Sequence, residues 1–366
     1  MEQLRLIKTE YNYADFSTSV SPAIELALEK REVESAVVLN VFRGGSFTAG
    51  FIDDPEKSLD LEYCKQEGIV VRRRQNGGGA IWGPDGGVLI VLYLDTRLPW
   101  VPVKTVGEAF PVVLKSLAEA VHELFGVEAV YRPVNDVEVD GRKLIPTSAR
   151  LENDILTMRI LVNVVPSDPV TLKKALITPP EKVQDKKIKD PGARFTCLEN
   201  EAGRKVSPSD LLTLTSKTVE KIFGNGVELV LGELGDLEKK YAAQYQEKYT
   251  SDEWFYANSE CTRFKEIPPD AVKCEGRYKA PAGLIRVTLL LVNGSIHDLI
   301  ITGDFHPSPS QILRDMESAV RGKDCNTEVI GDAIRRIFDR PDVEIAGTDV
   351  EDFLGAFKRA FKDAEK

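Results

Sequence analysis

A run of nine residues, Arg72-Arg73-Arg74-Gln75-Asn76-Gly77-Gly78-Gly79-Ala80, limits what this chain can fold into more than any other stretch. It follows the β-branched run Ile69-Val70-Val71 and precedes the apolar run 88–94, so it reads as a tight connection between strands. Three cations stand beside three residues without a Cβ. Such a turn lets backbone N–H groups come close to an anion while guanidinium groups neutralise it. A phosphate or carboxylate ligand is the chemistry this pattern suits. A plain glycine turn flanked by solvated arginines fits the same residues.

The chain has 366 residues, 42% of them hydrophobic and 29% charged, which are globular values and enough for two domains. No apolar run is long enough to span a bilayer, and the first residues lack a basic-then-apolar leader pattern, so a cytoplasmic protein is expected. The formal net charge of −10 argues against a nucleic-acid partner. Cys64, Cys197, Cys261, Cys274 and Cys325 are scattered without a C-x-x-C pair, which predicts neither a zinc site nor a disulfide framework. With only His122, His297 and His306, Ser-His-Asp hydrolysis and histidine-ligated metal chemistry are disfavoured. Lysine, arginine, carboxylate and backbone groups are left to do the work.

The pattern of elements is mixed α/β. Helices are expected at 23–31, 55–66, 106–125, 167–175, 208–223 and 234–247, and strands at 35–42, 127–131 and 155–165. Alternation from Asp136 to Lys143 with Asp140-Gly141 predicts a hairpin, and Lys143 opens its returning strand. Thr178–Cys197, with its prolines and basic residues, reads as a long loop. A boundary falls near 249–254. Beyond it, a hairpin turning at Asn293-Gly294 and three helices near 309–321, 326–338 and 349–362 make a small α+β domain. The expected division is 1–248 and 249–366.

Two further segments extend the glycine motif. One is Asn135-Asp136, then Gly141-Arg142-Lys143, then Thr147-Ser148-Ala149. The other is Pro180-Glu181-Lys182 with Lys186 and Lys187, ending at Cys197-Leu198-Glu199-Asn200. In this order and spacing the chain resembles the lipoate–protein ligase family, whose pattern runs Arg-Arg-x-Ser-Gly-Gly-Gly-Ala, Asn-Asp with Gly-x-Lys and Ser-Ala, and a lysine-rich loop. The resemblance covers residues 20–200 and extends more weakly to Glu253-Trp254-Phe255 and Asn293-Gly294-Ser295-Ile296.

The resemblance implies a biotin/lipoate-ligase-like mixed sheet with a smaller accessory domain. It implies an ATP-dependent ligase that activates lipoate, or a similar acid, as an acyl-adenylate. The acyl group then passes to a lysine of a lipoyl-domain or glycine-cleavage-type carrier protein. Lys143 would be the catalytic cation. Arg73, Arg74, Asn76, Gly77, Gly78, Gly79, Ala80, Ser148, Ala149, Lys182 and Lys186 would hold the acyl chain and adenylate, with Lys187 on the same lid. Asn135 and Asp136 would orient Mg²⁺, which needs few protein oxygens. The chain departs from the pattern at Asn76, where serine is usual, at 82–87, at 144–147 and at Met158-Arg159-Ile160. Those changes cluster around the acyl tunnel that the resemblance implies. Two other readings stay open: a catalytically degenerate carrier- or adenylate-binding paralogue, and an octanoyl transferase with a cysteine nucleophile and no ATP.

Overall fold

The computed structural model describes residues 2–182 and 194–365. Its main body is an eight-stranded mixed sheet. The strand order is Val227–Gly232, Glu2–Thr9, Ala36–Val41, Val88–Asp95, Ile155–Val162, Arg142–Glu152, Asp136–Val139 and Val130–Arg132. The first three strands are parallel and the remaining neighbours antiparallel. Every residue of Val88–Asp95 is buried, as expected for a central strand covered on both faces.

Helix Val106–Phe125 covers one face. Thr105 Oγ1 accepts the Glu108 N–H, and Gly126 closes the other end in the left-handed region at φ 66°. Its buried stripe of Val106, Phe110, Val113, Leu117 and Val121 returns at helical spacing onto Leu92, Leu94, Met158 and Ile160.

A separate small three-stranded sheet has the order Val70–Arg73, Ser46–Ala49 and Ile81–Gly83. The glycine turn links its two outer strands. Gly50, at the end of the middle strand, packs so closely on the turn that a Cβ there would strike the Gly78 carbonyl. Neither partner is a movable side chain. Gly50→Ala should therefore lower stability by more than about 2 kcal/mol. Thermal unfolding checks this, and an unchanged midpoint would contradict the packing.

The residues from Val272 onward form an antiparallel sheet, Val272–Lys279, Leu284–Val292 and Ser295–Gly303, under helices Ile312–Val320, Thr327–Phe338 and Val350–Ala364. Their apolar cluster is built from residues 274–360 with Ile52 as a guest. Among the described residues no helix is long and apolar enough to cross a membrane.

Several elements differ from the sequence reading. The helix expected at 23–31 runs Val20–Glu29, because the chain kinks at Ser19 and Arg31 is already left-handed at φ 59°. The expected helix 55–66 is two short helices, each with its own aspartate cap, Asp54 and Asp60. The strand placed at 127–131 is Val130–Arg132, and the helix placed at 234–247 is Asp236–Tyr249.

Candidate functional site

The hairpin 136–143 carries the site. Asp140 and Gly141 are both left-handed, at φ 49° and 76°, which is the geometry of a two-residue turn matched to strand twist. A bulge between Val137 and Glu138 shifts the register, so Glu138 pairs with Lys143 while Asp136 pairs with Pro146. Lys143 Nζ then lies 2.7 Å from Asp136 Oδ2. The backbone of Lys143 is pinned from the other side, where its carbonyl accepts the Thr196 N–H at 3.0 Å.

This pair lies on the wall of a cavity of about 380 Å³. Gly78, Gly79 and Ala80 line it, as do residues 132–136, Pro146-Thr147-Ser148, Leu176-Ile177-Thr178 and Arg194-Phe195. A last wall, 279–283 with Asp304, comes from the far end of the chain. Five cationic side chains, Arg74, Arg132, Lys143, Arg194 and Lys279, line it against two carboxylates, Asp136 and Asp304. An excess of positive charge on a chain of net charge −10 suits an anionic ligand. Three buried polar atoms, Asp136 Oδ1, Thr147 Oγ1 and Ser148 Oγ, have no partner within the protein. Buried polar atoms are costly to leave unpaired, so they point to a polar ligand.

The glycine turn is held by Arg74, which is fully buried. Its Nη2 donates to the carbonyls of Gly77 (2.6 Å) and Gly79 (2.9 Å), and its Nη1 to Thr48 O and Oγ1. The fork geometry of guanidinium suits four acceptors at once. The turn's Gly78 N–H donates to Phe305 O at 2.9 Å. This corrects the expectation that it faces an anion: the C-terminal unit takes that donor.

Other sequence-derived positions are also corrected. Arg73 does not reach the cavity. Its guanidinium is fully buried and donates to the carbonyls of Gly50, Phe51, Asp53 and Phe255. Adjacent strand residues point to opposite faces, so the pair Arg73-Arg74 divides. Asn76, Gly77 and Ala149 lie behind the lining. Asn76 Nδ2 donates to Thr157 O and fixes the turn to the main sheet. Arg159, expected near an acyl tunnel, is buried on Ser17 and Ser21 and beneath the Tyr13 and Phe16 rings. Lys182 ends a short 3₁₀ turn, Pro180–Lys182, and its side chain lies outside the described residues, as do Lys186 and Lys187.

Asn135 and Asp136 are both on the lining. Among the described residues no group of three or more His, Cys, Asp or Glu could hold a metal ion by itself. The buried, unpartnered Asp136 Oδ1 is a hard oxygen of the kind Mg²⁺ takes when phosphates supply its other ligands, so the residues present fit that ion.

The sequence reading missed Arg132, Arg194, Lys279, Asp304 and His306. His306 is 1% exposed and its pKa is pushed down to about 3, first by burial and then by the Arg74 charge, so the imidazole is neutral at pH 7. Arg132 and Arg194 stand near the motifs without a signal of their own, and the fold brings Lys279, Asp304 and His306 in from the C-terminal part of the chain.

The lipoyl protein ligase A/B catalytic domain matches residues 25–220, more than half of the chain and the whole of the glycine-turn and hairpin region. The chain belongs to this family. It is 26% identical over 333 residues to lipoate-protein ligase LplJ of Bacillus subtilis (strain 168), covering 86% of this chain and 91% of that protein. It is 20% identical over 276 residues to octanoyltransferase LipM of Clostridioides difficile (strain 630), covering 69% and 98%. The fold of P. falciparum LipL1, solved in complex with lipoate, superposes with a TM-score of 0.67 at 17% identity, covering 93% of this chain and 95% of that one. The mixed sheet is thus the fold of lipoate ligases, as the sequence pattern implied.

Proposed function

We propose that this member of the family activates lipoate, or a similar acid, with ATP and transfers the acyl group to a lysine of a lipoyl-domain or glycine-cleavage-type carrier protein. The observation that carries the reading is the Lys143–Asp136 pair on a cation-rich cavity that it shares with Gly78 and Gly79. In the first step a carboxylate oxygen of the acid attacks the α-phosphorus, and the bond to pyrophosphate breaks. Negative charge builds on the phosphate oxygens, where a fixed ammonium lowers the barrier without reorganising. The ion pair with Asp136 holds the Lys143 ammonium in place, so it acts by its position and charge rather than as a nucleophile. Mg²⁺, when bound, would neutralise phosphate charge beside Asp136. In the second step the carrier's ε-amine attacks the acyl carbonyl, AMP leaves with the bonding pair, and the amine gives up a proton.

A cysteine-based transfer without ATP finds less support. No cysteine lines the cavity among the described residues. Cys64 and Cys197 are buried, and burial pushes both thiols up, Cys64 to about 11, away from the reactive thiolate. The test is pyrophosphate release from ATP across a panel of acids, with and without a lipoyl domain. Release with lipoate, followed by a lipoyl mass gain on the carrier, is expected. Acyl transfer from an acyl carrier without ATP would replace this reading with the transferase. Tight carrier binding with no turnover would replace it with a non-catalytic paralogue.

The same proposal divides the chain into 1–248 and an accessory part, 249–366. Deleting 249–366 removes Lys279 and Asp304 from the lining and the Phe255 carbonyl from Arg73. The truncated protein should lose activation of the free acid by at least about a hundredfold. A truncated protein as active as the whole would contradict the accessory role.

A further inference from the structure

His306 lies three residues beyond the strand Ser295–Gly303, yet it sits under the glycine turn. A Cβ on Gly78 would come within 3.0 Å of Arg74 Nη2 and 3.1 Å of His306 Cε1. The preceding Phe305 accepts the Gly78 N–H and packs edge-on against Phe353 at 5.6 Å, inside the C-terminal apolar cluster. The turn is therefore seated on an element rooted in that cluster.

The imidazole meets Asn135. Nε2 lies 3.2 Å from Asn135 Nδ2, and the same Nδ2 donates to Thr147 O at 2.6 Å. A carboxamide nitrogen has two hydrogens. One goes to the Thr147 carbonyl. The second has an acceptor if Nε2 keeps its lone pair, which puts the ring's proton on Nδ1, a buried nitrogen that has no other hydrogen-bond partner within the protein. The charged groups that act on it are Arg74 from the glycine turn, Lys143 from the hairpin and Asp304 from its own segment. With both hydrogens held, the Asn135 amide cannot flip. Its Oδ1 is the atom left for a ligand, on the cavity wall beside Asp136 and Lys143. With its lone pair engaged and its ring off the lining, His306 is no general base.

We propose that His306 is a positioning residue that fixes Asn135 with its carbonyl oxygen presented to the cavity, so the nucleotide site is complete only with the 272–364 unit seated on the glycine turn. Oδ1 then accepts from the hydroxyl or amine donors that a nucleotide carries. The nucleotide part rests on the proposed ATP-dependent activation; the tautomer and the bond do not.

The test uses the full chain with ¹⁵N-labelled histidine. With only three histidines, His306→Gln identifies the signal by removing it. At neutral pH the His306 ring should be the Nδ1-protonated neutral tautomer. Asn135→Ala should shift its Nε2 resonance and leave those of His122 and His297 in place. A ring protonated on Nε2, or an Nε2 indifferent to Asn135→Ala, overturns the proposal. A second arm measures pyrophosphate release with ATP and lipoate. His306→Gln, whose Oε1 can accept the same bond, should keep the KM for ATP within about threefold, while His306→Leu should raise it about tenfold. Equal effects of the two variants would mean a packing role only and overturn the proposal. If the unaltered protein releases no pyrophosphate, the activation reading fails, and the resonance arm still decides the role of His306.

Discussion

Lys143→Ala is expected to lower lipoate-dependent pyrophosphate release at least about a thousandfold, equivalent to about 4 kcal/mol of barrier. The loss comes from the developing charge on the α-phosphate, which loses the ammonium held beside Asp136. It should not come from unfolding. The Lys143 side chain is 26% exposed and its ion pair is partly solvated, so stability should change by about 1 kcal/mol or less. Lys143→Arg should be nearly as damaging, since a planar fork does not reproduce a compact ammonium. Steady-state release and denaturant unfolding, measured on the same preparations, separate the two effects. A Lys143→Ala protein that retains a tenth of the rate would remove the residue from the chemistry.

Arg73→Ala should show the opposite division. This guanidinium is fully buried and serves four backbone carbonyls, three of them in the Gly50–Asp53 turn and one at Phe255. Truncation leaves those acceptors facing a dry void. The expected cost is about 3–5 kcal/mol of stability. The same bonds join the small sheet to the segment after helix Asp236–Tyr249, where the Trp254 indole donates back to the Arg73 carbonyl. The folded fraction should keep its affinity for ATP. Urea unfolding and ATP binding check this. A variant that is stable yet binds ATP poorly would return Arg73 to the ligand.

These two arginines show where sequence reasoning stops. They are neighbours in one motif with the same chemistry, and only the strand's alternation separates their environments. Features set by local chemistry were legible. The helix Val106–Phe125 has its threonine cap and terminal glycine in the sequence, and the turns at Asp140-Gly141 and Asn293-Gly294 have the residues that left-handed backbone requires. The strand Val272–Lys279 was not legible. It carries Gly276 mid-strand because a Cβ there would strike the backbone of helix Val350–Ala364 around Ala356 and Ala360, a reason written elsewhere in the chain. The site divides in the same way. Lys143, Asp136, Gly78 and Gly79 lie in motifs whose spacing marks them. Lys279, Asp304 and His306 reach the cavity region only because the C-terminal sheet packs against the glycine turn. Arg132 looks like any solvated cation in its own window.

The most direct measurement is lipoate-dependent exchange of labelled pyrophosphate into ATP, catalysed by the full chain with no carrier present. Reversible adenylate formation predicts exchange that requires both lipoate and Lys143. Absence of exchange with every acid tested, together with carrier acylation that proceeds without ATP, would contradict the account.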